Sequence, residues 1–202
     1  MIKTLIFDNN GVLTTCDNNM TIPRFAEYFG IETEKLREKF HYLVMPADLG
    51  HISTEDFFRD LCREFGKEYK PDELWPIFLS SYQPYPEMTD QLMILKEKYQ
   101  LALLTNFVDS FDKINKQTWH YQNLFKSENL FISSKLNLAK PDKEFYQYAL
   151  NKLGSKPEET LFIDDRELNL IPARELGINT ILFLSPKQFQ KELQLILGQT
   201  NS

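Results

Sequence analysis

Five short apolar runs constrain the fold of this 202-residue chain more than any other feature of its sequence. The runs are Thr4–Phe7, Leu101–Thr105, Leu130–Ile132, Thr160–Ile163 and Thr180–Leu184. They lack a regular polar face, so they predict strands that are buried on both sides in a parallel sheet. Segments of helical length alternate with the later runs, at Pro86–Tyr99, Ser110–Trp119, Asp142–Leu153, Arg166–Leu176 and Pro186–Leu197. This alternation predicts an α/β fold, a doubly wound parallel sheet with right-handed crossovers.

The stretch that follows the first run contains no strand-like run and predicts four helices. They begin near Thr21–Pro23, at Thr33 (ending at about Leu43), at the acid capping box Ser53-Thr54-Glu55-Asp56, and at Pro71. A helical block directly after the first strand is best explained as an insertion. We therefore expect an α/β core made of residues 1–14 and 86–202 and an all-helical cap made of residues 15–85.

The composition narrows the possible partners and compartments. A formal net charge of −6 argues against nucleic-acid binding, which favours a basic surface. Two cysteines, Cys16 and Cys62, are too few and too far apart to indicate a disulfide scaffold or a zinc site, so they favour a reducing compartment. The apolar run before Asp8 is too short for a signal peptide or a membrane span. We expect a cytoplasmic protein without membrane partners, either a monomer or a weak homodimer.

Polar residues that can do chemistry fall where the predicted strands end. They are Asp8 after the first strand, Thr105-Asn106 after the second, Lys140-Pro141 before the helix that follows the third, and Asp164-Asp165 after the fourth. Ligands of open α/β sheets bind at the carboxyl ends of the strands, so these side chains should share one site. Three carboxylates in one place need a cation, and oxygen ligands indicate Mg²⁺. Lys140 and Thr105 are then suited to bind a phosphoryl group.

Each of these motifs also has a plainer interpretation. Asn10-Gly11 between apolar residues is a strong hairpin-turn signal. Thr105-Asn106 is also compatible with a strand end and a helix cap, and Lys140 with a solvated loop. Asp164-Asp165 is compatible with a cap for the following helix. The occurrence of all four motifs in order, each at a strand end, favours a shared site.

At these residues the chain resembles the haloacid dehalogenase-like superfamily, and specifically its phosphatases. The first family motif, an aspartate followed two positions later by a second aspartate and a glycine, matches Asp8-Asn9-Asn10-Gly11. The second, a strand ending in threonine or serine, matches Leu103-Leu104-Thr105-Asn106, and the third matches Lys140-Pro141. The fourth, two acids and then Asn, Ala and Gly, matches Asp164-Asp165, Asn169, Ala173 and Gly177. The inserted helical block occupies the cap position of this family.

The resemblance implies a mechanism and a role for each matched residue. Asp8 would attack phosphorus and form an aspartyl-phosphate intermediate that water hydrolyses. Asp8, Asp164, Asp165 and the backbone carbonyl of Asn10 would bind Mg²⁺. Thr105 and Lys140 would hold the phosphoryl oxygens with help from Asn106. The expected function is a Mg²⁺-dependent phosphomonoesterase acting on a small phosphorylated metabolite such as a sugar phosphate.

Asn10 departs from the family pattern, which has an aspartate there to protonate the leaving group and activate water. An amide has no proton to exchange at neutral pH. General acid–base catalysis is worth about 10²–10⁴-fold, so we expect slow turnover rather than loss of metal or phosphate binding. Three explanations stay open: a slow or specialised phosphatase, a protein that binds a phosphorylated ligand without turnover, and an engineered inactive site. A haloacid dehalogenase is a further alternative, which Asp164-Asp165 disfavours because attack on carbon needs no metal.

The specificity of such a protein is expected to come from the cap. The predicted loop between the second and third cap helices is Ala47-Asp48-Leu49-Gly50-His51. Asp48 or His51 is placed there to bind a sugar hydroxyl or to supply the proton that Asn10 lacks. A solvated helix–helix loop is the alternative for both residues.

Overall fold

The computed structural model describes residues 1–15 and 18–199, and its centre is a sheet of five strands that all run parallel. The strands are β1 (Thr4–Phe7), β2 (Gln100–Thr105), β3 (Leu130–Ile132), β4 (Thr160–Asp164) and β5 (Asn179–Leu182). Their order across the sheet is β3-β2-β1-β4-β5. The predicted doubly wound parallel sheet is therefore confirmed, with every apolar run forming a strand.

The register of the sheet brings three strand ends together. Phe7 in the central strand β1 lies beside Leu103 of β2 on one side and Ile163 of β4 on the other. The residues that follow these positions, Asp8 and Asp164, therefore emerge next to each other at the carboxyl edge. This edge is where ligands bind in open α/β sheets.

Ten α-helices accompany the sheet in the described residues. They are α1 (Asn18–Phe29), α2 (Thr33–Asp48), α3 (Thr54–Glu64), α4 (Pro71–Ser80), α5 (Pro86–Leu95), α6 (Phe111–Ile114), α7 (Ser133–Leu136), α8 (Lys143–Leu153), α9 (Glu167–Glu175) and α10 (Pro186–Gln199). The predicted helix at Pro86–Tyr99 ends early, because the chain leaves it to enter β2, where the Gln100 N–H donates to the Lys3 carbonyl at 3.0 Å.

The predicted helix at Ser110–Trp119 changes type along its length. After α6 the chain forms a π-helical turn, Asn115–Trp119, in which the N–H of His120 donates to the carbonyl of Asn115 at 2.8 Å. The Asn115 side chain also accepts from the N–H of Tyr121 at 2.8 Å, which ends the helix. This turn places Trp119 and Tyr121 in a stacked pair, with ring centroids 5.2 Å apart. The position of Tyr121 becomes important at the site.

Helices α1 to α4 form the predicted helical block. The capping box at the start of α3 is present, with the Ser53 side chain accepting from the N–H of Asp56 and the Asp56 side chain accepting from the N–H of Ser53. Helix α2 runs through Pro46 to Asp48, past the predicted end at Leu43, because a proline removes only one backbone donor and the following Ala47 is fully buried. The division into a core of residues 1–14 and 86–202 and a cap of residues 15–85 stays a prediction.

Aromatic side chains join the helices of this block to one another. Phe25 of α1, Phe58 of α3 and Phe78 of α4 are buried, with ring centroids 5.3–6.5 Å apart. Their edge-to-face and tilted geometry is typical of packed aromatic cores. These rings stabilise the block.

Both faces of the sheet are covered. Leu5 and Phe7 of β1 point into a hydrophobic core shared with the helical block, α5 and α10, whereas Ile6 points into a second core formed with α8 and α9. This alternation along one strand explains why its sequence is continuously apolar. Within residues 1–15 and 18–199, no helix is long and apolar enough to cross a bilayer.

Candidate active site

Asp8 lies at the end of the central strand, and its carboxylate pairs with Lys140. The N–H of Asp8 donates to the Ile163 carbonyl at 2.8 Å, which extends the pairing of β1 with β4. The Lys140 ammonium lies 2.8 Å from Oδ1 of Asp8 and 2.7 Å from Oδ2 of Asp164. Lys140 is only 5% exposed, which contradicts a solvated loop lysine. Three of the residues predicted to share a site are therefore in direct contact.

Asp164 is held by more hydrogen bonds than its neighbours in the cluster. Both of its carboxylate oxygens accept from Nδ2 of Asn169 at 3.0 Å, and Oδ1 also accepts from the N–H of Arg166 at 2.8 Å. The bond to Arg166 closes a turn between the end of β4 and α9, but Arg166, the N-cap residue of α9, makes no side-chain capping bond. The other contacts of Asp164 are with Asn169 and Lys140, so its place in the charged site, and not a helix cap, accounts for it.

Asp165 provides the clearest sign of a metal ion. Its Oδ1 is buried without a hydrogen-bond partner among the described residues. Asp8, Asp164 and Asp165 each offer a carboxylate oxygen, and these oxygens lie within 4.8 Å of one another. A buried, unpartnered carboxylate oxygen is costly unless a cation satisfies it. The donor set consists of hard oxygens, which fits Mg²⁺.

The pKa values of the cluster reflect an excess of negative charge. Burial raises the pKa of Asp8 to about 7, assisted by Asp164 and Asp165 and opposed by Lys140. Burial and the charge of Asp164 raise the pKa of Asp165 to about 6. Burial alone would lower the pKa of Lys140, but the carboxylates of Asp164 and Asp8 prevail and raise it. One lysine facing three carboxylates leaves the site short of positive charge, and a divalent cation would supply it.

Gly11 is where the backbone approaches the cluster most closely. Its φ of +83° favours glycine, and a Cβ built there would lie 2.7 Å from Cγ of Asp165. Gly11→Ala should therefore displace Asp165 and weaken Mg²⁺ binding about 10–100-fold, the usual cost of disturbing a metal's supporting contacts. Titration calorimetry with Mg²⁺ measures this change.

Gly30→Ala provides the matched control for backbone strain. Gly30 also has a positive φ, +68°, but nothing lies within 4 Å of a Cβ built there. The backbone strain alone should cost about 1–2 kcal/mol of folding free energy in both variants. Only Gly11→Ala should alter Mg²⁺ affinity, and equal affinities in the two variants would contradict the placement of Asp165 at the metal.

A hydrogen-bond chain runs from Tyr121 to Asn10. The buried Tyr121 hydroxyl donates to Oδ1 of Asn9 at 2.6 Å, and Nδ2 of Asn9 donates to Oδ1 of Asn10 at 3.1 Å. Asn9 also donates its backbone N–H to the Asp8 carboxylate at 2.6 Å. Burial and the charge of Asp8 raise the pKa of Tyr121 well above its usual value, so it stays a donor. This chain fixes the Asn10 amide with its oxygen engaged by Asn9.

The turn after Asn10 is not a β-hairpin. The N–H groups of Leu13 and Thr14 both donate to the Asn9 carbonyl, at 2.8 and 3.0 Å, and the chain then pairs with Pro84 instead of returning along β1. The Asn10-Gly11 hairpin interpretation is wrong because β1 already has parallel neighbours on both sides.

Asn106 and Thr105 are placed differently from each other. The Asn106 amide makes two bonds with the backbone of Lys140, donating to its carbonyl at 2.9 Å and accepting from its N–H at 2.8 Å. Asn106 thus positions Lys140, a contact that a strand-end motif does not reveal. Thr105 is fully buried at the end of β2, and its hydroxyl has only a long, 3.5 Å contact with the Asn106 carbonyl. The predicted phosphoryl-binding roles of both residues stay predictions.

The helical block closes over the cluster and leaves two small cavities. One, of about 120 Å³, has Asp8, Asn10, Lys140 and Asp165 on its core side, and Asp48 and His41 of α2 on the other. The second, of about 80 Å³, is also lined by Asn10 and Asp48. Of the two cap residues predicted from the sequence, Asp48 therefore faces the site. His51 is exposed and lines neither cavity, because α2 extends to Asp48 and turns the loop outward.

A larger cavity lies away from the carboxylates. Its volume is about 570 Å³, and its lining includes Gln100 and Leu101 at the start of β2 and Lys96 and Lys126 beside them. This is the amino-terminal edge of the sheet, opposite Asp8. It contributes nothing to the cluster.

Several residues at the site escaped sequence reasoning. Tyr121, His41 and the positioning role of Asn106 have no motif, since each reaches the site through tertiary contacts between distant segments. Asn169 was matched only as part of a family pattern, although its spacing after Asp164 places it on the first turn of α9, facing back to the strand end. For Asn169, this spacing after Asp164 was the signal in the sequence that could have indicated a contact with the site.

Three clustered carboxylates and a buried lysine at the carboxyl edge of a parallel α/β sheet form an acidic site that suits a divalent cation. A profile of the haloacid dehalogenase-like hydrolases matches residues 2–177. This chain belongs to the haloacid dehalogenase-like hydrolase family, as its motifs predicted.

Two relatives with known names or structures are similar over nearly the whole chain. The D-ribitol-5-phosphate phosphatase of Bacteroides thetaiotaomicron is 26% identical over 213 residues, covering 98% of this chain and 100% of the relative. A solved family enzyme from the same organism, in complex with magnesium and inorganic phosphate, superposes with a TM-score of 0.78 at 28% identity, covering 90% of this chain and 93% of that one.

A third comparison extends over almost every residue. The solved structure of a family hydrolase from Porphyromonas gingivalis has a TM-score of 0.82 at 25% identity and covers 98% of both chains. The fold, the enzyme class and the kinship with phosphatases thus agree with the sequence motifs. A divalent metal ion is consistent both with the magnesium complex of the relative and with the acidic cluster of this chain.

Proposed function

We propose that this chain is a Mg²⁺-dependent phosphomonoesterase that acts on a small phosphorylated metabolite such as a sugar phosphate. The observation that carries the proposal is the cluster of Asp8, Asp164 and Asp165 with the buried Lys140. A relative that covers the same length and is named as a sugar-alcohol phosphatase supports the substrate class.

Asp8 is the nucleophile in this proposal. Its carboxylate attacks phosphorus, the bond to the leaving-group oxygen breaks, and the phosphoryl group is transferred to Asp8. Lys140 neutralises charge at Asp8 and at the phosphoryl oxygens, and Thr105 donates a hydrogen bond to them. Water then attacks phosphorus, the bond to Asp8 breaks, and inorganic phosphate leaves. Asn106 holds the Lys140 backbone during both steps.

Mg²⁺, when bound by Asp8, Asp164, Asp165 and the Asn10 carbonyl, supplies positive charge that reduces the repulsion between Asp8 and the phosphate. The small cavity under α2 restricts water and limits the size of the leaving group. Small metabolites fit this enclosure better than a macromolecule does.

Asn10 determines how fast we expect phosphate ester hydrolysis to be. Its amide has the shape of aspartate but no exchangeable acid proton, so turnover should be slower than in a site with aspartate there. Asn10 also supports a second candidate, a protein that binds a phosphorylated ligand without turning it over.

The experiment compares the native chain with Asn10→Asp on a panel of phosphate esters with Mg²⁺ present. We expect the native chain to hydrolyse at least one sugar phosphate and to lose this activity with a chelator. Asn10→Asp should raise kcat about 10–10²-fold, at or below the lower end of general acid–base catalysis, because the native amide still donates a hydrogen bond.

Asn151→Asp serves as the control, since Asn151 is exposed on α8 and the change adds only a charge. Turnover in the Asn10→Asp variant alone would favour the binding protein over the phosphatase. Hydrolysis by neither chain on any ester would contradict the proposal.

A further inference from the structure

Asp48 and Asn10 face the same two cavities, Asn10 from the core and Asp48 from the helical block. Both side chains line the cavity of about 120 Å³ that contains Asp8 and Lys140, and both line the neighbouring cavity of about 80 Å³. Asn10 comes from the sheet edge and Asp48 from the last residue of α2. A leaving group bound to a phosphate on Asp8 has to occupy this space.

The end of α2 is fastened to the turn that follows β3. The Ser133 hydroxyl donates to the Asp48 carbonyl, and Nδ2 of Asn137 donates to the Leu49 carbonyl at 2.7 Å. Gly50 lies so close to Ser134 that a Cβ there would come within 2.9 Å of the Ser134 carbonyl carbon. These contacts hold Asp48 at a fixed height above the sheet edge. The position of Asp48 is therefore fixed by hydrogen bonds between α2 and the segment after β3.

We propose that Asp48 is the proton donor to the leaving-group oxygen, the task that Asn10 cannot perform. The inference rests on the proposed phosphatase function and adds a catalytic residue from the helical block. Asn10, whose oxygen is engaged by Asn9, is left to donate its amide hydrogens to the substrate.

The position of Asp48 in the cavity favours a carboxyl group that holds its proton near neutral pH. The titratable or charged groups that line the cavity with Asp48 are His41 of its own helix and Asp8, Lys140, Asp165 and Arg166 of the core. Burial raises the pKa of Asp48 to about 7, with Lys140 opposing the rise. A pKa near the working pH is what an acid catalyst needs.

The step balances in atoms and charge. As the Asp8 carboxylate bonds to phosphorus, the phosphorus–oxygen bond of the ester breaks and the leaving oxygen takes the proton of the Asp48 carboxyl. This yields a free alcohol, an aspartyl phosphate and an Asp48 carboxylate. Attacking water then gives a proton to Asp48 and its oxygen to phosphorus, which restores both aspartates and releases phosphate.

His51, the other donor expected from the sequence, is in the wrong place for this task. It is exposed and lines neither cavity. His41 lines the cavity of about 120 Å³ but not the cavity of about 80 Å³. Asp48 alone of these three residues borders both.

The test uses the dependence of the reaction on its leaving group. An alkyl phosphate such as glycerol phosphate needs a proton on its departing oxygen, whereas p-nitrophenyl phosphate does not. We expect Asp48→Asn to lower kcat/KM for the alkyl ester about 10²–10⁴-fold and for the p-nitrophenyl ester only a few-fold. The ratio kcat/KM is chosen because it reports the steps up to release of the first product.

A second variant and a control complete the design. Adding Asn10→Asp to Asp48→Asn should restore most of the alkyl phosphate activity, because it returns an acid to the same space, and this rescue also shows that the protein folds. His51→Gln should change neither ester. An equal loss on both esters, no loss on the alkyl ester, or a failed rescue would overturn the role of Asp48.

The two proposals fail in different ways. If the native chain hydrolyses neither ester with Mg²⁺ present, the phosphatase proposal fails and the role of Asp48 fails with it. If the p-nitrophenyl ester is hydrolysed equally well by the native chain and Asp48→Asn and the alkyl ester is also unaffected, only the role of Asp48 is overturned.

Discussion

Asp8→Asn should lower phosphate ester hydrolysis by at least about 10⁴-fold, the scale of loss seen when a nucleophile is removed. The amide keeps the shape of the side chain but cannot form the aspartyl phosphate. The variant should stay folded, because Lys140 keeps its 2.7 Å contact with Asp164 and one buried negative charge disappears. Steady-state kinetics together with a thermal melt measure both effects.

Asp112→Asn is the control for this loss. Asp112 is exposed, pairs with Lys135 and lines neither cavity of the site, so the same chemical change there should leave the rate unchanged. A residual rate above about one hundredth of native in Asp8→Asn would point to another nucleophile.

Lys140→Met should cost about 3–5 kcal/mol of folding free energy, the usual penalty for leaving buried charge without its partner. Asp8 and Asp164 both lose their cation, and both are buried. For a chain of this size the loss corresponds to a fall in Tm of roughly 10 °C. Calorimetry without metal measures it.

The loss of folding free energy in Lys140→Met should depend on pH. The direction of this dependence follows from the raised pKa values of the carboxylates. Removing Lys140 raises the pKa of Asp8 further above its ordinary value, so the folded state binds protons more tightly than the unfolded state. Stability then falls as the pH rises, and the penalty at pH 8 should exceed that at pH 5.

Two further variants check this explanation. Lys140→Met combined with Asp164→Asn should recover part of the stability, because one uncompensated carboxylate is removed. Lys135→Met breaks an exposed ion pair and should cost less than about 1 kcal/mol. Similar losses for Lys140→Met and Lys135→Met would contradict the charge balance described for the cluster.

The sheet and the cluster were predictable because both follow from short-range patterns. Strands buried on both faces are continuously apolar, and a polar residue directly after such a run must lie at the sheet edge. Asp8, Asp164 and Asp165 were found in this way without knowledge of the strand order. Lys140 carried a weaker signal, its position just before the helix that follows the third strand, and the resemblance to a family strengthened it.

The features of the site that the sequence did not predict depend on contacts between segments that are distant in the chain. Asp48 and His51 were equal candidates in the sequence, and the choice between them depends on where α2 ends and on its attachment to Ser133 and Asn137. Tyr121 reaches Asn9 only because a π-helical turn precedes it. No local pattern in the sequence encodes these distances.

The structure shows which groups surround the Asn10 side chain. It is the end of the chain of hydrogen bonds from Tyr121 through Asn9, and it lines the same cavity as the Asp48 carboxyl group. An asparagine in place of the family's aspartate at position 10 is therefore compatible with an active site, provided that Asp48 on the other side of the cavity donates the proton.

Covalent catalysis by Asp8 is the central claim, and chemical trapping tests it most directly. The protein is quenched during turnover of a phosphate ester with Mg²⁺, reduced with borohydride, and digested, and the peptide containing Asp8 is sequenced by mass spectrometry. An aspartyl phosphate is reduced to homoserine, so we predict homoserine at position 8 in the reacted sample and aspartate in a sample without substrate. Ester hydrolysis with Asp8 unmodified, or homoserine at a different aspartate, would contradict the mechanism.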